Sequence, residues 1–138
     1  ISSSQHVTDR LSCCSVREHR MRLKESLIQK AVVDHWKAFG VPGTQMFAIP
    51  NAYAHGQAGL TRGVFDLCVI GPQAGRVRFM ELKADGGKLS EHQKAFRDYL
   101  IKSGVEFAIC YGRDDPIIAL EAWGVCKTVK RENRCGND

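Results

Sequence analysis

The sequence of 138 residues lacks several patterns that define well-known protein classes. No apolar run approaches the roughly 18 residues of a membrane-spanning helix. There is no Cys-x-x-Cys pair, so neither a zinc ribbon nor a thioredoxin-like motif is expected. The Gly-rich phosphate loop of nucleotide triphosphatases and the nucleophile elbow of serine hydrolases are also missing. We therefore expect neither a membrane nor a nucleotide cofactor among the partners of this protein.

The six cysteines form no recognisable disulfide framework, and the five histidines add no convincing zinc set. Cys68 and Cys110 lie within apolar runs and are expected to behave as small buried hydrophobic residues. A disulfide framework would suit a smaller secreted chain with a poorer core. The first ten residues are polar and show no signal-peptide pattern. These features predict a reducing, intracellular location.

What is present is the composition of an ordinary globular domain. Hydrophobic residues make up 43% and charged residues 25% of the chain, and the formal net charge is +5. The length fits one domain of roughly 100–150 residues. A charge of +5 suits a polyanionic partner without requiring one. Within this domain plan, residues 1–20 are predicted to be a flexible arm or extension, 21–126 the folded domain and 127–138 a basic tail.

Hydrophobic periodicity and turn residues predict an α/β protein with helices flanking one mixed sheet. Asp115 is the expected cap of the last helix, with Pro116 at its first position. The buried stripe of the preceding helix is expected to hold Phe96, Tyr99 and Leu100, with Ile101 at its border. The predicted elements are a helix over 21–39, strands over 45–50, 64–70 and 76–83, a helix from 90 that Gly104 ends, a strand over 105–111 and a helix over 115–123.

A predicted hairpin brings three charged residues together. Strands 64–70 and 76–83 flank a Gly-Pro-Gln-Ala-Gly turn, and if paired positions sum to 147, Asp66 faces Glu81. Directly opposed residues share a face, about 5 Å apart at Cβ. The period of two puts Lys83 on the same face as Glu81. This register would gather two carboxylates and a lysine at the open end of a sheet.

Two ionised carboxylates so close repel each other, and a bound cation would relieve the repulsion. Mg²⁺ suits a site with few carboxylate oxygens because it keeps several waters and completes its shell with a substrate phosphate. Lys83 could then orient a water or neutralise the phosphate, which is the chemistry of metal-assisted phosphodiester hydrolysis. The alternative is a solvated strand face with a weak ion pair. The catalytic interpretation is favoured because Asp66 and Glu81 interrupt apolar strands and adjoin glycine-bearing loops, where a backbone can approach a phosphate.

An ordered set of motifs, spanning about residues 24–123, resembles the VRR-NUC domain of the PD-(D/E)XK nuclease superfamily. Glu-x-Lys by itself is a weak signal, whereas the ordered set with Lys-Leu-Ser-x-x-Gln is specific. One departure is Phe65, which stands where the family usually has proline before the aspartate. The motifs are an acidic residue in the first helix (Glu25, followed by Gln29), Gly63-Val-Phe-Asp66-Leu, Glu81-Leu-Lys83, Gly87-Lys88-Leu89-Ser90-Glu-His-Gln93 and Gly104-Val105.

The resemblance implies a restriction-endonuclease-like αβββαβ core and a nuclease that depends on Mg²⁺ or Mn²⁺. Two of the site positions also have a plain structural interpretation. Ser90 and Gln93 match a capping box, and we expect Gln93 to serve the site only if its side chain is not committed to the backbone. Glu25 could equally be an exposed helix acid. The implied site residues are the metal ligands Asp66, Glu81 and the Leu82 backbone carbonyl, Lys83 to orient the water and the phosphate, Gln93 in support, and Glu25 at the metal directly or through water.

Stand-alone members of the family, of phage or bacterial type, resemble Holliday-junction resolvases. This implies a structure-selective DNA endonuclease acting in the cytoplasm of a bacterium or an infected host, and a homodimer, because two symmetric cuts need two active sites. A flap, nicking or restriction-type nuclease and a non-catalytic DNA-binding module remain alternatives. Candidate contacts to the DNA backbone are Arg76, Arg78, Lys88, Lys94, Arg97 and Arg113, with His55 and Arg62 as weaker ones, and candidate dimer-interface residues are Trp36 and Trp123.

Overall fold

Within the described part of the chain, three helices and four strands follow one another in the order that the sequence predicts. The structure, a computed structural model, describes residues 23–50 and 57–130. These fall almost entirely in one compact unit, Leu23–Thr128. The predicted arm over 1–20, His55 and most of the predicted tail lie outside the described residues. The elements are α1 Glu25–Phe39, β1 Gln45–Ala48, β2 Leu67–Ile70, β3 Val77–Lys83, α2 Glu91–Ser103, β4 Glu106–Tyr111 and α3 Asp114–Ala122.

The four strands form one mixed sheet in the order β1-β2-β3-β4. β2 pairs antiparallel with β1 and with β3, whereas β4 pairs parallel with β3. The parallel pair needs a crossover connection, which α2 provides. In the hairpin, Leu67 pairs with Met80 and Ile70 with Val77. Both pairs sum to 147, so the predicted register is confirmed.

The two faces of the sheet carry different kinds of core. On one face, Met80 and Leu82 of β3 pack with Ile28 of α1 and Leu120 of α3 in an aliphatic core. The other face is covered by α2 and holds four phenylalanine rings. We call these four the aromatic cluster: Phe65, Phe79, Phe96 and Phe107. The odd-numbered positions of β3 therefore place Glu81 and Lys83 on the α2 face, next to the aromatic cluster.

Two predicted details of the helices are wrong. Helix α3 begins at Asp114 with Arg113 as its cap residue, and Asp115 lies inside the first turn, where its side chain accepts a hydrogen bond from the Tyr111 backbone N–H at 3.1 Å. Pro116 is thus the third helical residue, a position where its missing N–H has no partner to lose. In α2, Tyr99 and Ile101 are 63% and 62% exposed, because Phe96 and Leu100, four positions apart, form the inner stripe instead.

Several buried or half-buried side chains serve the core of their own chain. Trp36 and Trp123 pack against the aliphatic core, and the Trp36 indole N–H donates to Thr44 Oγ1 at 3.0 Å. A role for either tryptophan at a dimer interface stays a prediction. Cys68 and Cys110 are free and buried, as predicted. Within the described ranges, no helix has the length and hydropathy needed to cross a membrane.

Candidate active site

The predicted carboxylate pair forms where the β2–β3 ladder ends. Asp66 immediately precedes β2, and β3 ends with Glu81, Leu82 and Lys83. The Asp66 backbone is held by the Ile49 N–H, which donates to its carbonyl oxygen at 2.8 Å. Its side-chain Oδ2 accepts from the Leu82 backbone N–H at 2.9 Å. These two bonds fix Asp66 beside the C-terminal end of β3, next to Glu81.

Glu81 is the most buried charged residue of the site, with 1% of its surface exposed. Its Oε2 accepts a hydrogen bond from Gln93 Nε2 at 2.8 Å, whereas Oε1 is buried and has no hydrogen-bond partner among the described residues. Burial and, after it, the neighbouring charge of Asp66 raise the pKa of Glu81 to about 8. Burial likewise raises the pKa of Asp66, and Glu25 adds to that rise. The pair therefore has a strong tendency to hold a proton or a cation.

Lys83 lies between two glutamates. Its Nζ is 3.5 Å from Glu81 Oε2 and 3.9 Å from Glu25 Oε1, and its side chain is only 10% exposed. Glu25, at the start of α1, is half exposed. The structure thus brings Glu25 to the edge of the site as the partner of Lys83. A role for Glu25 at a metal, directly or through water, remains a prediction.

Gln93 serves the helix cap and the site at the same time. Its Oε1 accepts from the Ser90 backbone N–H at 2.9 Å, and Ser90 Oγ accepts from the Gln93 backbone N–H at 3.2 Å, which completes a capping box. The amide nitrogen of Gln93 remains available and donates to Glu81. The expectation that a capping side chain would be lost to the site is wrong, because an amide has an acceptor end and a donor end.

Gly63 packs the loop before Asp66 against the first turn of α2. Its φ is +85°, and a Cβ there would lie 2.2 Å from the His92 carbonyl oxygen and 2.8 Å from the Gln93 backbone nitrogen. Only glycine fits this position, for its conformation and for its space. The sequence predicts Gly63 only as part of a family motif and of a loop that can approach a phosphate. The packing role depends on a neighbour that is 29 positions away along the chain, which no local pattern reveals.

The structure separates the basic residues proposed to contact DNA. Arg78 is buried, with its guanidinium bonded to Glu106 and the Gly71 carbonyl and placed over the Trp123 ring, so its predicted DNA contact is wrong. Lys88 and Arg113 are exposed and make no ion pair within the described part of the chain. Arg62 is also exposed. The other three candidates form ion pairs: Arg76 with Glu106, Lys94 with Glu91 and Arg97 with Asp98.

The residues present fit a divalent cation with few protein ligands. No group of three or more His, Cys, Asp or Glu side chains in residues 23–50 and 57–130 could enclose a metal. Asp66 and Glu81 remain as two carboxylates, and the buried, unpartnered Glu81 Oε1 is the atom that a cation would satisfy. Oxygen ligands at two points suit Mg²⁺ or Mn²⁺, whose shells are completed by water and substrate. The Leu82 carbonyl as a third ligand stays a prediction.

Comparison with known proteins shows the family and the fold of this chain. A family model described as the VRR-NUC domain matches residues 16–114, most of the chain. The chain belongs to the VRR-NUC family. This places it in a nuclease-type domain family. A solved structure titled "VRR_NUC domain" is similar with a TM-score of 0.55 and 22% identity, covering 72% of this chain and 96% of that chain, which shows the shared fold. No curated protein matches the sequence.

Proposed function

We propose that this VRR-NUC domain is a divalent-metal-dependent endonuclease that hydrolyses DNA phosphodiester bonds. The supporting observation is the buried Glu81 carboxylate, which keeps one oxygen without a partner while it lies against Asp66 and within 3.5 Å of the Lys83 ammonium. A purely structural glutamate would gain little from such a place, because burial and a second acid both oppose its charge.

In this proposal Asp66 and Glu81 hold Mg²⁺ or Mn²⁺, with the Leu82 carbonyl as a third ligand and Glu25 acting through water. When bound, the metal supplies Lewis acidity to the scissile phosphate and favours ionisation of a bound water. Lys83 orients the attacking water and neutralises charge that develops on the phosphate oxygens. Gln93 keeps Glu81 in place through its amide N–H. The products would carry 5′-phosphate and 3′-hydroxyl ends.

We further propose that the enzyme selects DNA by its structure, in the manner of a Holliday-junction resolvase, and acts as a homodimer. Contacts to phosphates position a protein without reading sequence, and exposed Lys88, in the loop between β3 and α2, is suited to such a contact. Two symmetric cuts in a junction need two active sites, which a two-fold dimer supplies.

A cleavage assay tests the proposal. Four-way junction, flap, single-stranded and linear duplex DNA are incubated with the protein in Mg²⁺, Mn²⁺ or EDTA. We expect metal-dependent cleavage that falls by roughly two orders of magnitude in Glu81→Gln. The matched control is Glu91→Gln, the same change at a side chain that is 89% exposed. It should cleave like the wild type.

The pattern of products separates the alternatives. Symmetric cuts in the junction, together with a dimer mass in size-exclusion chromatography with light scattering, would support the resolvase-like function. Cuts only in flaps or duplex would keep the nuclease and reject the resolvase. DNA binding without cleavage of any substrate, in either metal, would reject the enzyme in favour of a non-catalytic DNA-binding module.

A further inference from the structure

The aromatic cluster lies directly beside the candidate site. The Phe65 ring is fully buried and packs edge-on against Phe96 at 5.1 Å and Phe107 at 5.8 Å between ring centroids. Phe96 also meets Phe79 at 5.5 Å. None of the four rings belongs to the aliphatic core, which lies on the opposite face of the sheet. The face of the sheet that carries the candidate site is thus packed by rings that are separate from the aliphatic core.

Two rings of the aromatic cluster are placed along the chain next to the two carboxylates. Phe65 is joined to Asp66 by one peptide bond. Phe79 lies two positions before Glu81 in β3, on the same face of the sheet. A displacement of either ring would therefore move the backbone from which a carboxylate projects.

The other two rings connect the carboxylates to α2 and to β4. Phe96 follows Gln93 by three positions, about one helical turn, so the two side chains lie on neighbouring parts of the same helix face. Phe107 pairs with Phe79 across the β3–β4 ladder. Among the described residues, the bond between Gln93 and Glu81 is the one side-chain hydrogen bond that joins α2 to the sheet. Packing of the rings adds to this bond and to the contact of Gly63 with the first turn of α2 in aligning the helix with the sheet.

We propose that the aromatic cluster positions the two metal-binding carboxylates, and that Phe65 is the principal positioning residue for Asp66. The inference rests on the proposed metal site and adds residues that do not touch metal or substrate. Leucine at position 65 could not reach both Phe96 and Phe107, so the Asp66 backbone would sample a wider range of positions. A carboxylate that is less well placed against Glu81 binds the cation more weakly.

The test measures metal affinity directly, without turnover. Mn²⁺ binding is followed by isothermal titration calorimetry for the wild type, Phe65→Leu and Phe96→Leu. The matched controls are Leu120→Ala and Val125→Ala, which remove fully buried side chains from the aliphatic core. All titrations are made at a temperature at which circular dichroism shows each variant fully folded. Urea unfolding ranks the variants by stability.

We expect Phe65→Leu to bind Mn²⁺ about 10-fold more weakly than the wild type. The controls should stay within about twofold, although they lose as much stability or more. Equal Mn²⁺ affinity in Phe65→Leu and the controls would overturn the inference while leaving the proposed function intact. A wild type that binds no Mn²⁺ would overturn both.

A second variant keeps the test decisive if Phe65→Leu does not fold. Phe96 is only half-buried, so Phe96→Leu costs less packing and still separates α2 from Phe65 and Phe79. It should also weaken Mn²⁺ binding beyond both controls. Wild-type affinity in that variant would show that the aromatic cluster supports the fold alone.

Discussion

At the scale of single residues, Glu81 lies in a place that disfavours its charge. A carboxylate loses solvation when it is buried, and here it also faces Asp66. Lys83 and Gln93 offset part of that cost, through an ion pair and a hydrogen bond to the same oxygen. The remaining oxygen is left without compensation. An unfavourable buried charge of this kind is common in binding sites, where the bound ligand offsets it.

The raised pKa of Glu81 predicts how the metal-free protein responds to pH. Its ordinary value is 4.5 and its value in the fold is about 8, so ionisation of Glu81 opposes folding. Below pH 4.5, Glu81 is protonated in both the folded and the unfolded chain, and the fold accommodates the neutral carboxyl group. As pH rises from about 5 to about 8, Glu81 is ionised in the unfolded chain but still largely protonated in the fold, so the free energy of unfolding decreases. The melting temperature in EDTA should fall over that window.

The variant Glu81→Gln isolates this effect, because it keeps the shape and removes the ionisation. Its melting temperature should exceed that of the wild type near pH 8 by several degrees, with the gap closing near pH 5. Thermal unfolding in EDTA across the pH series measures the difference, with Glu91→Gln as the control. Parallel curves for the wild type and Glu81→Gln would show that Glu81 does not titrate in this way.

At the scale of elements, the first turn of α2 combines a helix start with a site contact. The capping box satisfies backbone groups at Ser90 and Gln93, and the same Gln93 side chain reaches β3. The sequence pattern predicted the cap because its partners are three residues apart. The link to Glu81 depends on how α2 packs across the sheet.

Substitutions at the two cap residues should separate these roles. Ser90→Ala removes one cap bond and should cost about 1 kcal/mol of unfolding free energy, with cleavage rates within a few-fold of the wild type. Gln93→Glu keeps a capping-box residue but replaces the amide N–H that Glu81 accepts with a third carboxylate. Its cleavage should fall by about 10-fold or more, with a smaller loss of stability. Urea unfolding and cleavage kinetics measure the two effects; equal activity losses in both variants would contradict the assignment.

A second prediction at this scale compares two glycines, one in the loop before β2 and one in the turn between β2 and β3. Gly63 and Gly75 both have positive φ, at +85° and +74°, but only a Cβ at Gly63 would meet backbone atoms of α2. Gly75→Ala should therefore cost about 1–2 kcal/mol from its conformation alone. Gly63→Ala should cost at least about 3 kcal/mol, because the loop must leave α2. Urea unfolding of the two variants is the measurement, and equal costs would argue against tight packing of the loop on α2.

At the scale of the whole molecule, the charge distribution decides how DNA is held. The net charge is +5, but some of the basic side chains on the described surface are already paired with acidic ones, as at Arg76 and Lys94. Arg78 is withdrawn into the fold altogether. The number of phosphates that the protein contacts should therefore be smaller than its count of lysine and arginine residues implies.

Salt dependence of DNA binding measures that number. If Lys88 contacts one phosphate, Lys88→Ala should weaken binding and reduce the slope of log affinity against log salt by about 1. Lys30→Ala serves as the control, because Lys30 pairs with Asp34 on α1. Fluorescence anisotropy with a labelled junction at several salt concentrations gives both slopes. An unchanged slope in Lys88→Ala would remove this residue from the DNA interface.

Local sequence patterns determined much of the fold, without information on which residues meet in the tertiary structure. The order of elements, the hairpin register and the Ser90 cap follow from periodicity, turn residues and spacing, all of which act over a few positions. The register in particular carried Asp66 to Glu81, because a hairpin with a short turn has few ways to pair.

Only the tertiary structure decided which side chains those elements bury and what they meet. Arg78 is withdrawn from solvent by Glu106 and Trp123, which lie far along the chain, so its charge gave no hint of its place. Tyr99 was expected in the core but is exposed, because the packing angle of α2 sets its inner face. Phe65, visible in the sequence only as a departure from the family's proline, packs between α2 and β4. Such contacts arise from chain segments that meet only after folding, and burial then sets the charge state of Glu81 that local sequence could not determine.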